Sequence, residues 1–412
     1  MRAALDLLRH ERRARIFFAV LLQSALGTGA GYVALLLIAY DRYESPWATG
    51  LLLLAELLPA MLLGPVFGAS ADRWSRKRCM VLADSLRAIA FVGVVAVDSF
   101  EATVLFAALA GIGTGLFNPA ALAALPSVVD EPRRVPAVTS LYGVAGDFGF
   151  TGGFALSASL LLLPGGPAGI MLLTATTLAI SALLLARLRF GAAPSHPEGD
   201  HPTLAQEVKE GVRATIGMRD VRTVLLGSAA GLVCAGIFNV AELPFVTEEL
   251  GASDAGFSLL VMFFGIGFVG GSLAGSRGGA PATLKRRYLT GLLLLAVGLL
   301  TTGVAASVVI VAATFAIAGF GNGLLLVYER LLIQAAVPDR LVGRIFGAKD
   351  ALTAWAFGVA FVAGGGLVSG LGPREPILLA GGAALLVYLV VAMALRGRWS
   401  SEQLATGRAA AG

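Results

Sequence analysis

Cysteine and histidine are nearly missing from the 412 residues: Cys79 and Cys234, His10, His196 and His201 are all there are. So few thiol and imidazole groups, spaced so far apart, exclude a disulfide framework and a metal-ligand cluster. Charge is also scarce. Only 14% of the residues are Asp, Glu, Lys or Arg, where a soluble domain carries about a quarter. With 57% hydrophobic residues and a mean hydropathy of +0.82, the composition is that of an integral membrane protein. The long apolar runs lack the period-two alternation of barrel strands, so they read as helices. No small-residue cleavage site follows the charged start MRAALDLLRHERRAR, and the run behind it is too long for a signal-peptide core, so the first helix is expected to stay in the protein. A net charge of +5 hints at nucleic acid in a soluble chain. Here it tracks topology instead, and no nucleic-acid partner and no cofactor are expected.

What is present is a succession of spanning-length apolar stretches. In the first half they run approximately Arg15 to Tyr40, Ala48 to Ser70, Cys79 to Val97, Ala102 to Pro126, Val138 to Leu163 and Ala168 to Leu188. In the second they run near Arg222 to Thr247, Gly256 to Ser276, Arg286 to Ala305, Val308 to Ala336, Phe346 to Leu371 and Pro376 to Arg396. The expected fold is therefore all-α and membrane-embedded, with twelve helices in two six-helix bundles, residues 1–189 and 222–412, joined by a linker at 190–221. An even number of spans puts both termini on one side. Of the 31 lysines and arginines, only Arg42 and Arg374 then fall on the opposite side, with Arg87 and Arg330 inside spans. That asymmetry assigns the termini to the cytoplasm. Within the linker, Leu204, Val208, Val212 and Ile216 recur every four residues, which predicts an amphipathic helix along the membrane surface.

The second span ends abruptly in GPVFGASADRWSRKR, Gly64 to Arg78, where a glycine pair gives way to Asp72, Arg73, Arg76, Lys77 and Arg78. This G-x-x-x-D-R-x-x-R-K pattern closely resembles the signature between the second and third helices of the major facilitator superfamily. Gly68, Asp72, Arg73, Arg76 and Lys77 fall on the family's positions, with Ser75 where glycine is common. The resemblance implies a secondary transporter in which this loop is a cytoplasmic gate: the aspartate faces the positive N-terminal end of a helix in the other half. GIGTG at Gly111 to Gly115 returns as GFGNG at Gly319 to Gly323, 208 positions later, as a parallel six-helix repeat requires. Neither glycine run follows a strand or precedes Lys-Ser/Thr, so helix packing and not phosphate binding is expected of them.

Within the superfamily, PAMLLGPVFGASADRWSRKR, LADSLRA, NPAALAALPSVV and VPDRLVGRIFG resemble the drug exporter group that includes macrolide efflux proteins and siderophore exporters. That resemblance implies a membrane-resident exporter of lipophilic small molecules, acting by alternating access with protons as the coupling ion and functioning as a monomer among membrane lipids. GVAGDFGFTGG, Gly143 to Gly153, is similar to the antiporter motif of the fifth helix but lacks its proline, and the fourth helix lacks the arginine many proton-coupled exporters carry. A native metabolite or siderophore as cargo, lipid flipping, and a transport-inactive sensor are the alternatives. An enzyme is not expected, because no cluster of His, Asp, Glu or Ser gathers at one membrane depth.

An ionisable group inside a span costs about 2.5–3.5 kcal/mol on insertion scales, so each needs a partner, water or a function. Asp84 and Arg87, three apart near the cytoplasmic end of the third span, are expected to form a structural ion pair wetted from that side. Asp350 beside Lys349 is assigned to the cytoplasmic gate, and Glu242 to an outer vestibule. Glu56, Asp147 and Glu329 remain as candidates for proton coupling or substrate contact, since a protonatable carboxylate exposed in turn to each side can couple downhill proton entry to uphill substrate exit.

Overall fold

The structure, a computed structural model, describes residues 11–73, 75–129, 134–188, 213, 215–275, 281–337 and 339–396, with side chains described except at 64–73, 136, 137, 140, 144, 147, 281, 339, 340, 343 and 344. Twelve long α-helices account for most of them. In chain order they are α1 Arg12–Tyr43, α2 Pro46–Arg73, α3 Arg76–Ala96, α4 Phe100–Ala124, α5 Val135–Leu160, α6 Gly166–Arg187, α7 Arg219–Pro244, α8 Asp254–Gly275, α9 Pro281–Gly303, α10 Val308–Ala336, α11 Asp339–Leu371 and α12 Arg374–Ala394. No strand occurs among the described residues. Among the described residues, ten of these helices hold a stretch long and apolar enough to cross a membrane; α5 and α9 do not. In α9 the cause is visible in the sequence, since Lys285, Arg286 and Arg287 take up its first turns. The amphipathic linker helix expected at Leu204, Val208 and Val212 lies outside the described residues; Ile216, at its end, is exposed.

The chain divides into two compact units, residues 1–200 with 253–262, and residues 201–252 with 263–412. In the first, α4 packs on α2 and α3, α1 on α5 and α6, and α3 on α6. In the second, α9 packs on α10 and α12, and α7 on α11 and α12. Lipid tails are as apolar as leucine, so these contacts depend on close approach of backbones rather than on expulsion of water. Glycine supplies it. A Cβ added to Gly111 on α4 would lie 2.0 Å from the carbonyl oxygen of Glu56 on α2, and one added to Gly319 on α10 would lie 2.0 Å from that of Phe264 on α8.

The same 208-residue register recurs through each half. Gly113 abuts the Ala83 carbonyl on α3, and Gly321 abuts the Gly291 carbonyl on α9, at 2.8 Å from a built Cβ in both cases. Ser99 caps α4 by accepting from Ala102 N at 3.3 Å, and Ser307 caps α10 by accepting from Ile310 N at 3.4 Å. These pairs fix the correspondence of α2, α3 and α4 with α8, α9 and α10, position by position.

Boundaries differ from expectation where polar residues stay helical. The charged stretch ahead of the expected span start at Phe346 is helical, since α11 begins at Asp339. At the other end of the second unit, α7 stops at Pro244 and passes into a five-residue π turn, Phe245–Glu249.

The two arginines that broke the charge asymmetry share one role. Arg42 donates to the carbonyls of Val94 at 2.8 Å, Val97 at 2.6 Å and Val95 at 3.3 Å, where α3 ends. Arg374 donates to Gly303 O at 2.8 Å and Ala305 O at 3.2 Å, where α9 ends. Each guanidinium satisfies carbonyls left over at a helix C-terminus and meets the negative end of its dipole. Arg374 also pairs with Glu249 at 2.6 Å and lies 5.0 Å from the centre of the Phe245 ring, which ties the π turn to α9 and α12.

Candidate functional site

Two buried polar clusters stand out, one in each unit. In the first, Asp84 and Arg87 face α1 and α6 from successive turns of α3. Arg87 Nη1 donates to Asp84 Oδ1 at 3.3 Å and to Ser24 Oγ at 3.1 Å, and Nη2 donates to Thr28 Oγ1. Ser181 Oγ on α6 donates to Asp84 Oδ2 at 2.5 Å. The pair is not wetted as expected: Asp84 is 0% and Arg87 3% exposed. Three neighbouring hydroxyls, contributed by α1 and α6, replace the water. Charge-assisted hydrogen bonds of this kind make a buried pair tolerable.

Glu56, on α2, is partly buried, and the charge of Arg87 reaches it. The glycine run of α4 brings the two helices together. Gly111 admits the α2 backbone at Glu56, while Gly113 admits the Arg87 stem, whose Cγ would be 2.5 Å from an added Cβ. Two carboxylates thus share the neighbourhood of one guanidinium. Arg87 Nε is buried and has no hydrogen-bond acceptor.

In the second unit, Glu329 on α10 is 1% exposed. The Ser228 hydroxyl on α7 lies near its carboxyl, while Oε2 has no partner. Ser228 Oγ lies 3.1 Å from the hydroxyl of Tyr288 on α9, which donates to Val224 O at 2.9 Å. Lys349, Asp350 and Arg330 are the other charges that act on Glu329, and Lys349 Nζ sits 3.5 Å from Asp350 Oδ1. Arg330 is thus one of several charges near Glu329, not its dedicated partner. Glu242, expected at an outer vestibule, is instead 4% exposed.

The gate residues are only partly in view. The side chains of Gly68, Asp72 and Arg73 lie outside the described residues, as does that of Asp147. Arg76 and Lys77 open α3 and are partly buried. The glycine run from Gly143 to Gly153 divides in two: Gly149 and Gly153 meet α1, with an added Cβ 2.6 Å from Ala25 Cβ and 2.3 Å from Leu26 O, whereas Gly143 and Gly146 face open space. Among the described residues no group of three His, Cys, Asp or Glu gathers as a metal site.

Sequence reasoning did not single out Ser24, Thr28 and Ser181, nor Ser228 and Tyr288. Small hydroxyls in spans are common and bond their own helix, as Thr28 Oγ1 does to Ser24 O at 2.7 Å, so their tertiary role has no sequence mark. Arg42 and Arg374 did carry a signal. A cation on the wrong side of the charge asymmetry, beside a span end, is placed to cap carbonyls.

The family model described as Major Facilitator Superfamily matches residues 16–277. An uncharacterized MFS-type transporter of Mycobacterium tuberculosis is 30% identical over 422 residues, covering 95% of this chain and 93% of its own length. A multidrug efflux pump, Tap, of Mycobacterium bovis is 25% identical over 384 residues, covering 88% of each chain. Among solved structures, a bacterial homolog to the human lysosomal transporter Spinster, in an inward-facing and occupied conformation, superposes with a TM-score of 0.73 at 14% identity, covering 94% of this chain and 97% of its own. At that identity the likeness concerns the fold alone.

Proposed function

Because the chain belongs to the Major Facilitator Superfamily, we propose that this transporter exports lipophilic, drug-like small molecules across the cell's inner membrane, with protons entering as the coupling ion. Residues 1–189 and 222–412 act as the two working halves, joined by the 190–221 linker, and one copy of the chain suffices. Similarity to a multidrug efflux pump favours export. The observation that carries the coupling is the charge imbalance around Arg87: Asp84 and Glu56 in an apolar helix bundle, with the one Arg87 guanidinium paired to the first and acting electrostatically on the second. When both carboxylates are ionised, one negative charge is left over. A proton on Glu56 cancels it, and release of that proton restores it. Glu329, whose buried Oε2 is unpaired, is the second proton-binding candidate and Asp147 the third. Gly68, Asp72, Arg73, Arg76 and Lys77 form the cytoplasmic gate, and Asp72→Asn is expected to shift the population toward the inward-open state with little loss of folded protein.

Purified protein in liposomes with an imposed proton gradient, screened over lipophilic cations, macrolides and siderophores, tests this function. Uphill movement of at least one class, abolished by a protonophore, is the expected result; transport indifferent to the gradient would sink the coupling. Topology is checked separately. A cysteine at Ser75 is expected to label from the cytoplasm and one at Ser253 from outside, and labelling of both from one side would overturn the orientation.

A further inference from the structure

The site around Arg87 shows more than an ion pair. A guanidinium has five N–H donors in a rigid fork. Nη1 and Nη2 serve Asp84, Ser24 and Thr28, while Nε is buried and unserved. A buried donor without an acceptor is destabilising, so its retention calls for a reason. The architecture does not require it. The positions corresponding to Glu56, Asp84 and Arg87 in the second unit are Phe264, Leu292 and Leu295, on the same helices in the same glycine-defined register. Leu292 and Leu295 are both 0% exposed. The same packing is thus achieved with apolar side chains alone, in line with the general finding that buried ion pairs are seldom kept for stability.

We propose that Arg87 is the positioning residue for Glu56, holding its uncommitted Nε donor in reserve. Ionised Glu56 draws the guanidinium away from Asp84, and neutral Glu56 releases it to Asp84, Ser24 and Thr28. The charge state of α2 is thereby converted into a change in how α3 grips α1. This rests on the reading of Glu56 as the carboxylate that gains and loses a proton. The charged groups that meet Glu56 are few. From α3 come Arg87, whose charge acts on it, and Asp84, which is paired with Arg87. The only ionisable residue on α4 is Glu101, in its first turn. The charged residues of α1 lie in its first and last turns, where Arg42 is committed to the α3 carbonyls.

The test is a pH titration of the protonated-carboxyl stretching band by infrared difference spectroscopy on the full chain in liposomes, the Glu56 component being the band lost in Glu56→Gln. In Asp84→Leu/Arg87→Leu, which copies the second unit's own leucines and removes both members of the ion pair together, loss of the cation is expected to move the band's midpoint up by about one pH unit or more. In Asp84→Asn the guanidinium belongs to Glu56 alone, and the midpoint moves down. The signs are opposite, so either variant decides if the other fails to fold. An unmoved band, a shift of the wrong sign, or no band attributable to Glu56 overturns the proposal. Parent-rate uphill transport in Glu56→Gln would instead end the coupling reading, and the band shifts report on Arg87 independently of it.

Discussion

The two halves of this transporter share a backbone plan and differ in where they spend polarity. In the first, Glu56, Asp84 and Arg87 occupy positions that the second fills with Phe264, Leu292 and Leu295. The exchange runs the other way at Met80 and Ala121, which lie in an apolar cluster of the first unit, where the second has Tyr288 and Glu329. Each half is therefore an internal control for the other. Shared features, the glycine contacts and the serine caps, are requirements of the fold. Unshared ones are not requirements of the fold, because helices that pack equally well with leucine have no structural need for a charge.

The largest expected effect comes from breaking the first half's balance without restoring it. Arg87→Leu alone strands Asp84, 0% exposed, and is expected to lower stability by about 3–5 kcal/mol, whereas Asp84→Leu/Arg87→Leu stays near the parent. Thermal unfolding in detergent separates the two, and equal losses would refute the claim that the second half's leucines show what the first can tolerate. Next in size are the glycines. Gly111→Ala and Gly319→Ala each drive a Cβ to within 2.0 Å of a facing carbonyl, and both are expected to cost about 1–3 kcal/mol by forcing helices apart. Gly146→Ala, with nothing within 4 Å, is the neutral reference, and a large difference between the two glycine contacts would break the register.

Smaller effects belong to the outer arginines. Arg42→Gln is expected to cost about 0.3–1 kcal/mol through the lost dipole and carbonyl contacts. Arg374→Gln costs more, because it also releases Glu249 and Phe245. Equal losses in the two would assign everything to the carbonyls. Of the same small size as Arg42→Gln, Ser99→Ala and Ser307→Ala each remove one exposed N-cap bond, expected at these 3.3 Å and 3.4 Å contacts to cost about 0.5 kcal/mol.

Much of this was legible in the sequence. Hydropathy gave the helices because a span leaves no choice but to satisfy its backbone internally, and the glycine repeat gave the pseudo-symmetry because only glycine permits a 2.0 Å Cβ position to stay empty. Candidate carboxylates were legible for the same reason they matter: charge inside a span is rare. The partners were not. Whether Asp84 meets water or Ser181 depends on which face of α6 turns toward α3, and α6 is nearly featureless in sequence apart from its hydroxyls. The start of α11 was misjudged because Asp339 and Arg340 look like a loop to a hydropathy window, although acidic residues favour the first turn of a helix.

The central claim is that Glu56, poised on Arg87, takes the proton that drives export. It is tested most directly by paired measurements in liposomes on the parent and Glu56→Gln: uphill substrate movement under an imposed pH gradient, and downhill exchange without one. Loss of the first with retention of the second is the result expected when the carboxyl is held permanently neutral. Uphill transport by Glu56→Gln at the parent rate would contradict it.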